Sequence, residues 1–165
     1  MARRASSRAE SRDQLFVLAN REWDSGKPAA AFKLFLRAAA AGHASAKNSV
    51  GYFLDHGLGT RKNTAEAMLW YRRAARQGDL SAYSNVAINY KNAGNIRGAK
   101  MWFRRALQKG DASSGLELAK LLLVTRRKSD SARAIRHLRN AVKSRHISDE
   151  GRKEARQLLR VVTSP

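Results

Sequence analysis

The chain has 165 residues, no cysteine, and 33 Lys and Arg residues against 13 Asp and Glu residues, which gives a formal net charge of +20. Without cysteine it can form no disulfide framework, thiolate metal site or cysteine nucleophile. No apolar run approaches the roughly 18 residues of a membrane-spanning helix, so we expect no membrane insertion. The cationic excess predicts attraction to acidic proteins or to nucleic acid.

The N-terminal segment is rich in Arg, Ser and Ala and is not followed by an apolar block of the signal-peptide type. Glu10 and Asp13 argue against an organelle transit peptide, which is poor in acidic residues. We therefore interpret residues 1–12 as a flexible basic N-terminal arm. The protein is expected to be cytoplasmic.

A fixed period organises residues 13–146. Gly42, Gly78 and Gly110 close three successive copies, and Arg145 takes the equivalent place in a fourth copy. The copies are therefore about 13–42, 43–78, 79–110 and 111–146. A period of 20–50 residues is typical of stacked supersecondary units.

Each copy begins with a predicted helix, which Asp79 and Asp111 can cap in the third and fourth copies. Small residues within these helices predict a close approach to a partner helix, as in an antiparallel hairpin. The predicted buried positions are Ala46, Val50, Gly51 and Leu54; Ala82, Val86, Ala87 and Tyr90; and Ser114, Leu118, Ala119 and Leu122.

Each copy then continues into a second predicted helix. In the second copy Ala67, Trp70, Tyr71 and Ala74 fall at i, i+3, i+4 and i+7, which places them on one buried face. The closing glycine predicts a left-handed stop to this helix. The other copies carry an alanine and a large pair at the same positions: Ala31 with Leu34-Phe35, Ala99 with Trp102-Phe103, and Ala134 with His137-Leu138.

Residues 147–165 read as a C-terminal capping helix and tail. Ser148 is a suitable N-cap, and Ala155, Leu158, Leu159 and Val162 follow at helical spacing. The sequence as a whole predicts an all-α fold: an α-solenoid of about four antiparallel helix-turn-helix repeats with a C-terminal capping helix.

The segment "ASAKNSVGYFLDHGLGTRKNTAEAMLWYRRAARQGDLSA", residues 44–82, resembles a Sel1-like repeat, the longer relative of the tetratricopeptide repeat. The matching positions are Ala46, Val50-Gly51, Gly57-x-Gly59, Ala67, Trp70-Tyr71, Ala74-Ala75 and Gly78. The first and third copies are more tetratricopeptide-like, and the fourth is degenerate. The resemblance implies a protein–protein interaction module, such as an adaptor or a bacterial immunity protein that binds a toxin.

Residues for catalysis are few. His43, His56, His137 and His146 share no metal-ligand spacing, and Gly57-x-Gly59 lacks the lysine and serine of a phosphate loop. Ser129 and Asp130 are explained as helix-start residues. We therefore expect no enzyme, no cofactor, no metal and no small-molecule substrate.

The resemblance implies that the first helices of successive repeats line a concave binding face. Asn48, Tyr52 and Asn92 are suited to hold a peptide backbone, while Trp23 is either an anchor for a partner or a core side chain. The candidate partner-binding residues are Asn20, Trp23, Asn48, Tyr52, Asp55, Ser84, Ile88, Lys91 and Asn92.

Basic residues recur beside the buried stripe of the second helices, where they are predicted to form an exposed ridge on the convex side. The ridge residues are Arg72, Arg73, Arg76, Arg104, Arg105, Arg136, Arg139 and Lys143. Three interpretations remain open: a solvated face, a site for an acidic protein partner, and a track for RNA or DNA phosphates together with the basic arm. We predict the acidic protein partner, with nucleic acid as the alternative.

Overall fold

The computed structural model describes residues 10–124 and 127–164. Within these residues the chain forms nine α-helices and no strand. The helices are α1 (Arg12–Asp24), α2 (Pro28–Ala40), α3 (Ala44–His56), α4 (Thr64–Arg76), α5 (Leu80–Asn92), α6 (Ile96–Gln108), α7 (Ser113–Leu123), α8 (Lys128–Lys143) and α9 (Asp149–Thr163). None of them is both long and apolar enough to cross a membrane. The chain divides into two units, one ending at Asp79 and one beginning at Leu80.

The first unit contains two helical hairpins. Helix α1 packs against α2, α3 packs against α4, and α2 also packs against α3. Aromatic rings join the hairpins, because the ring of Phe35 on α2 lies 5.3 Å from that of Phe53 on α3 and 5.7 Å from that of Phe16 on α1. Pro28 begins α2, where a missing N–H costs nothing.

The second unit contains two further hairpins, α5–α6 and α7–α8, with α6 packed on α7 and α9 packed mainly on α8. Phe103, Leu118 and Leu138 are almost completely buried in its core, and Ala155 of α9 joins them. Helix α9 therefore closes the apolar face that α8 would otherwise expose. The predicted fold class, all-α helix-turn-helix repeats of the α-solenoid type with a capping helix, is confirmed.

The large residue pair of each second helix is not buried evenly. Its second member is in the core in every copy: Phe35, Tyr71, Phe103 and Leu138 are exposed by 2% or less. Its first member is only half-buried: Leu34, Trp70, Trp102 and His137. The second member of the pair lies four positions after the alanine and the first member lies three positions after it. The residue at i+4 is better aligned with the buried face of the helix, so the second side chain points into the hairpin.

Three second helices end in the same Schellman motif. After α2, α4 and α6 the closing Gly42, Gly78 and Gly110 have φ of 95°, 89° and 102°, as the sequence predicts. The N–H of the following residue donates to a carbonyl five residues back; Asp79 N, for example, lies 3.1 Å from Ala74 O. Helix α8 ends differently, with Ser144 in an extended conformation.

Asp111 was predicted as the N-cap of α7, but the helix begins at Ser113 with Ala112 as its N-cap, so Asp111 lies one residue before that position. Its carboxylate accepts hydrogen bonds from Ser113 N at 3.0 Å and from Ser114 Oγ at 2.6 Å. Ser148 Oγ likewise accepts from Gly151 N at 3.2 Å and begins α9.

The Gly57-x-Gly59 segment is a packed turn. Gly57 ends α3 with φ of 72°, and Gly59 has φ of 61°. A Cβ on Gly59 would lie 2.3 Å from the backbone nitrogen of Ala29, so the turn rests directly on the start of α2. Only glycine satisfies both conditions, and this supports the turn interpretation over a phosphate loop.

The predicted arm needs a correction at its end. Residues 1–9 lie outside the described residues, but residues 10–12 belong to the folded part of the chain. Ser11 and Gln14 form a reciprocal capping box, Arg12 begins α1, and Glu10 forms an ion pair with Arg37 at 2.9 Å. The spacing Ser-x-x-Gln indicates a helix start at this point, because the two side chains accept hydrogen bonds from two backbone N–H groups that have no partner within the helix.

Candidate protein-interaction site

The first unit exposes two aromatic side chains that were predicted to contact a partner. Trp23 on α1 is 39% exposed and Tyr52 on α3 is 42% exposed. Both contact the buried Phe53, with centroid distances of 5.0 Å and 6.5 Å, so they form one patch. Tyr52 also lies against His56, with ring centroids 4.2 Å apart. Trp23 therefore packs on Phe53 in an edge-to-face arrangement and remains partly exposed to solvent.

The polar residues predicted beside this patch are partly occupied within the protein. Asn20 Nδ2 donates to Phe16 O of its own helix at 2.8 Å. Asn48 and Asp55 are half-buried and also make contacts inside the protein. The aromatic patch is therefore the more accessible part of the predicted site in this unit.

In the second unit, two of the predicted residues line a cavity of about 430 Å³ between α5 and α7. Ser84 and Ile88 contribute from α5, while Asp111 and Glu117 contribute from the α7 side. Ser84 Oγ donates to Ser81 O at 2.9 Å, and Ile88 is 36% exposed. Asn92 lies exposed at the end of α5.

Lys91 is held by an ion-pair network that the sequence analysis missed. Its Nζ lies 2.8 Å from Glu117 Oε2 on α7, and Glu117 Oε1 accepts from Lys120, which also reaches Glu154 on α9 at 2.8 Å. Burial by itself raises the pKa of Glu117, but the hydrogen bonds from Lys120 and Lys91 outweigh it and lower the pKa below its usual value. The pKa of Lys120 is raised, because its bonds to Glu117 and Glu154 outweigh the cost of burial. The i, i+3 spacing of Glu117 and Lys120 was the one sequence signal for this network.

On α4 the predicted ridge is not uniformly exposed. Arg73 and Arg76 are exposed, but Arg72 is half-buried, with its Nε shielded from solvent. The prediction that Arg72 stands on an open surface was therefore wrong. Its position on the helical wheel lies at the margin of the stripe formed by Tyr71 and Ala75, so neighbouring groups cover the base of its side chain.

Two ridge arginines cover tryptophan rings. The guanidinium of Arg73 lies 4.9 Å from the centre of the Trp70 ring, and that of Arg105 lies 4.9 Å from the centre of the Trp102 ring. This repeated cation–π pair at i, i+3 gives these two arginines a structural role.

The indole nitrogens of the two tryptophans differ. Trp70 Nε1 donates to Glu66 Oε1 at 3.3 Å, whereas Trp102 Nε1 is buried with no hydrogen-bond partner in the described structure. The position equivalent to Glu66 in the third copy is Gly98, which has no side chain to accept the bond.

The rest of the ridge lies in the second unit. Arg104, Arg136, Arg139 and Lys143 are exposed. Burial lowers the pKa of the His137 imidazole, and Arg136, Arg133 and Arg104 lower it further. Arg104 lies on α6 and Arg133 and Arg136 lie on α8, so cations from both helices lie near this imidazole.

The histidines are used structurally where the structure shows a contact. His43 Nδ1 accepts from Ala46 N at 3.1 Å and so caps α3, while its ring stacks on Phe16 with centroids 4.2 Å apart. Among residues 10–124 and 127–164, no group of three His, Asp or Glu side chains could hold a metal ion.

These features define a class: a helical-hairpin repeat protein with exposed aromatic and charged side chains. The sequence model of the Sel1 repeat matches residues 25–43, 44–79 and 92–111. The chain is a Sel1-like repeat protein. Sel1 repeats form protein-interaction scaffolds that are not enzymes, and they generally bind protein partners.

Known proteins resemble the chain over different lengths. A segment of 50 residues is 44% identical to part of the chitin synthase regulator SKT5 of Malassezia restricta, and this match spans 30% of the chain but 4% of that relative. The structure of a Sel1 repeat protein from Oxalobacter formigenes superposes with a TM-score of 0.70 at 23% identity, covering 91% of this chain and 73% of the other. A protective antigen of uropathogenic Escherichia coli strains gives a TM-score of 0.76 at 24% identity, covering 90% of this chain and 32% of the other. Identities this low show the shared fold.

Proposed function

We propose that this chain is a non-enzymatic binding module for an acidic protein partner. The observation that carries the proposal is the patch of Trp23 and Tyr52 on Phe53, because exposed aromatic side chains resting on a rigid core are typical anchors of protein interfaces. The net charge of +20 supports an acidic partner, since opposite potentials accelerate encounter.

Two biological settings fit such a module. It acts as an adaptor that holds a client protein, or as an immunity protein that blocks an acidic toxin. The absence of cysteine suits a reducing cytoplasm.

Nucleic acid is the weaker candidate. Proteins that bind single strands without sequence preference stack bases on exposed aromatic faces. In the ridge, Trp70 and Trp102 are half-buried, and arginines cover their rings. An arginine therefore already occupies one face of each ring, which makes these rings poor stacking platforms.

The test is an affinity pull-down with the immobilised chain at about 0.1 M and about 0.5 M salt, a range over which surface electrostatic attraction is strongly screened. Retained protein and nucleic acid are both quantified, and the identified protein partner is then titrated by calorimetry. We expect W23A/Y52A to weaken binding by about tenfold or more, because anchors of this kind dominate interface energy.

The matched control is V17A/L69A, which removes exposed apolar side chains from α1 and α4 of the same unit. It should leave the affinity within about twofold, as contacts outside an interface are neutral. Retention of RNA or DNA alone, or equal binding by W23A/Y52A and the unaltered chain, would contradict the proposal.

A further inference from the structure

The α5–α6 hairpin of the second unit carries a second surface cavity, of about 690 Å³. Its lining includes Tyr90, Arg97, Gly98, Lys100, Met101 and Arg104. The α6 residues at 97, 100, 101 and 104 follow each other at i, i+3, i+4 and i+7, so they form one stripe along the helix. This cavity is separate from the one between α5 and α7.

The cavity lies in the more cationic of the two units. From Leu80 onward there are 19 of the 33 basic residues but only 6 of the 13 acidic ones. The segment from Leu80 to Gly110 contains no acidic residue at all. Within the described structure Lys91 is paired with Glu117, whereas Arg97, Lys100 and Arg104 form no ion pair with a carboxylate. Their charge is therefore left for an outside group to neutralise.

Apolar surface alternates with these cations. Met101 is 41% exposed between Lys100 and Arg104, and the neighbouring Ile96 is 37% exposed. An unbranched thioether adapts its shape to a partner, so methionine is well suited to a binding surface. The complementary ligand has carboxylates and apolar side chains in close succession.

The preceding repeat has a carboxylate at a position where α6 has none. Glu66 of α4 holds a carboxylate in the first turn of its helix, where it accepts the bond from Trp70. The equivalent residue of α6 is Gly98, and a Cβ there would lie 2.8 Å from the ring of Tyr90. The third copy therefore has no carboxylate at this position of α6, where the ring of Tyr90 fills the space beside the glycine.

We propose that this cavity binds an acidic segment of a protein partner, with the partner's carboxylates on Arg97, Lys100 and Arg104 and its apolar side chains on Met101. The proposal rests on the proposed function and assigns a further contact surface, which binds the acidic segment of the partner.

A peptide suits the site better than a nucleic acid strand. The ring of Tyr90 packs on Gly98, and Arg105 covers the ring of Trp102. Both aromatic side chains therefore make contacts within the protein, although Tyr90 also lines the cavity, while Met101 presents an apolar surface that phosphate and ribose do not need.

The probe is a short synthetic peptide in which glutamates alternate with leucine and phenylalanine, carrying a fluorophore for anisotropy. Three competitors separate the contributions of charge, apolar side chains and ligand class to binding. They are the same peptide with glutamine for glutamate, oligo-glutamate without apolar residues, and single-stranded RNA of equal length. The full chain is used throughout. Because it has no cysteine, M101C can also be labelled at a single site with an environment-sensitive dye, with V161C on α9 as the labelled control.

We expect R97E/R104E to weaken peptide binding by about tenfold or more, since two attractive charge contacts become repulsive. The matched control R145E/R156E changes two exposed arginines of the same unit and should change affinity by less than about threefold, through net charge alone. The dye on M101C should respond to the peptide, and that on V161C should not. Glutamine substitution should abolish binding, and oligo-glutamate should bind more weakly than the mixed peptide.

Equal affinities for R97E/R104E and R145E/R156E, or no binding of the peptide, would overturn the proposal. Tighter binding of RNA than of the peptide, lost in R97E/R104E, would assign the cavity to nucleic acid instead. A protein partner that is lost with W23A/Y52A but retained by R97E/R104E would leave the proposed function standing and reject this inference alone.

Discussion

The ring of Tyr71 on α4 lies against Gly51 on α3 so closely that a Cβ on Gly51 would be 2.7 Å from Tyr71 Cδ1. Tyr71 is 1% exposed and cannot move aside without disturbing the core. Burial also raises the pKa of its phenol far above the usual value, with Asp55 and Tyr52 adding to the effect. The contact sets the distance between the two helices of this hairpin.

We therefore expect Gly51→Ala to lower the free energy of unfolding by about 1–3 kcal/mol, the usual cost of overpacking a core. Urea unfolding followed by circular dichroism measures it. Gly115→Ala is the control, because its Cβ would meet only Leu107 at an ordinary 3.5 Å. That change should be neutral or stabilising by up to about 1 kcal/mol, as alanine is the better helix former. A neutral Gly51→Ala would show that the close approach is not essential.

The Arg73–Trp70 pair predicts a modest loss of stability in Arg73→Ala. We expect about 0.5–1 kcal/mol, because the guanidinium lies over a ring at the protein surface. Arg76→Ala, an exposed change in the same helix, should stay within about 0.5 kcal/mol. The two free energies of unfolding are compared by urea titration, and equal values would mean that the pair contributes nothing.

The Glu117 network predicts a specific dependence of stability on pH. The pKa of Glu117 is lower in the folded chain than in the unfolded one, so the folded state holds fewer protons as the pH falls. Its stabilising contribution is complete above the unfolded pKa of about 4.3 and is lost as the pH falls through the lower folded value.

Glu117→Gln should remove this contribution, so the free energy of unfolding should fall less steeply below about pH 4.5 than in the unaltered chain. At neutral pH the variant should be less stable, since Lys91 and Lys120 lose their shared acceptor. Glu150→Gln is the control, because its pair with Lys153 is long, at 3.8 Å, and highly exposed. The prediction would be contradicted if the free energy of unfolding fell equally steeply below about pH 4.5 in Glu117→Gln and in the unaltered chain.

The cap of α9 depends on Ser148, whose Oγ accepts from Gly151 N. We expect Ser148→Ala to cost about 0.5–2 kcal/mol, the usual value of an N-cap side chain. The loss should appear first as faster hydrogen exchange in α9 than in α8. Ser129→Ala, an exposed change in the first turn of α8, should leave exchange almost unaltered. Uniform acceleration across both helices would show that α9 does not open independently.

Much of the fold could be predicted from the sequence. Three kinds of residue predicted it: the recurring alanine with its large pair, the closing glycines and the capping residues. Each of them affects residues no more than about four positions away, so its effect can be inferred from the sequence alone. The start of α1 was also predictable, because the spacing of Ser11 and Gln14 is that of a capping box.

The exposure and the partners of the candidate site residues could not be predicted from the sequence. The exposure of Trp23 and Tyr52 depends on how their rings lean on Phe53, and Lys91 is held by a carboxylate 26 residues away. The structure, not the pattern, also showed that Arg72 is half-buried and that Arg73 and Arg105 cover tryptophan rings.

The sequence by itself determined the helices, their ends and the stripe that each hairpin buries, because backbone hydrogen bonding and the 3.6-residue period are local properties. Only the tertiary structure decided which cations remain unpaired. A charge is neutralised by whatever group packing brings within a few ångströms, and packing brought Glu117 to Lys91 but no described carboxylate to Arg97, Lys100 or Arg104.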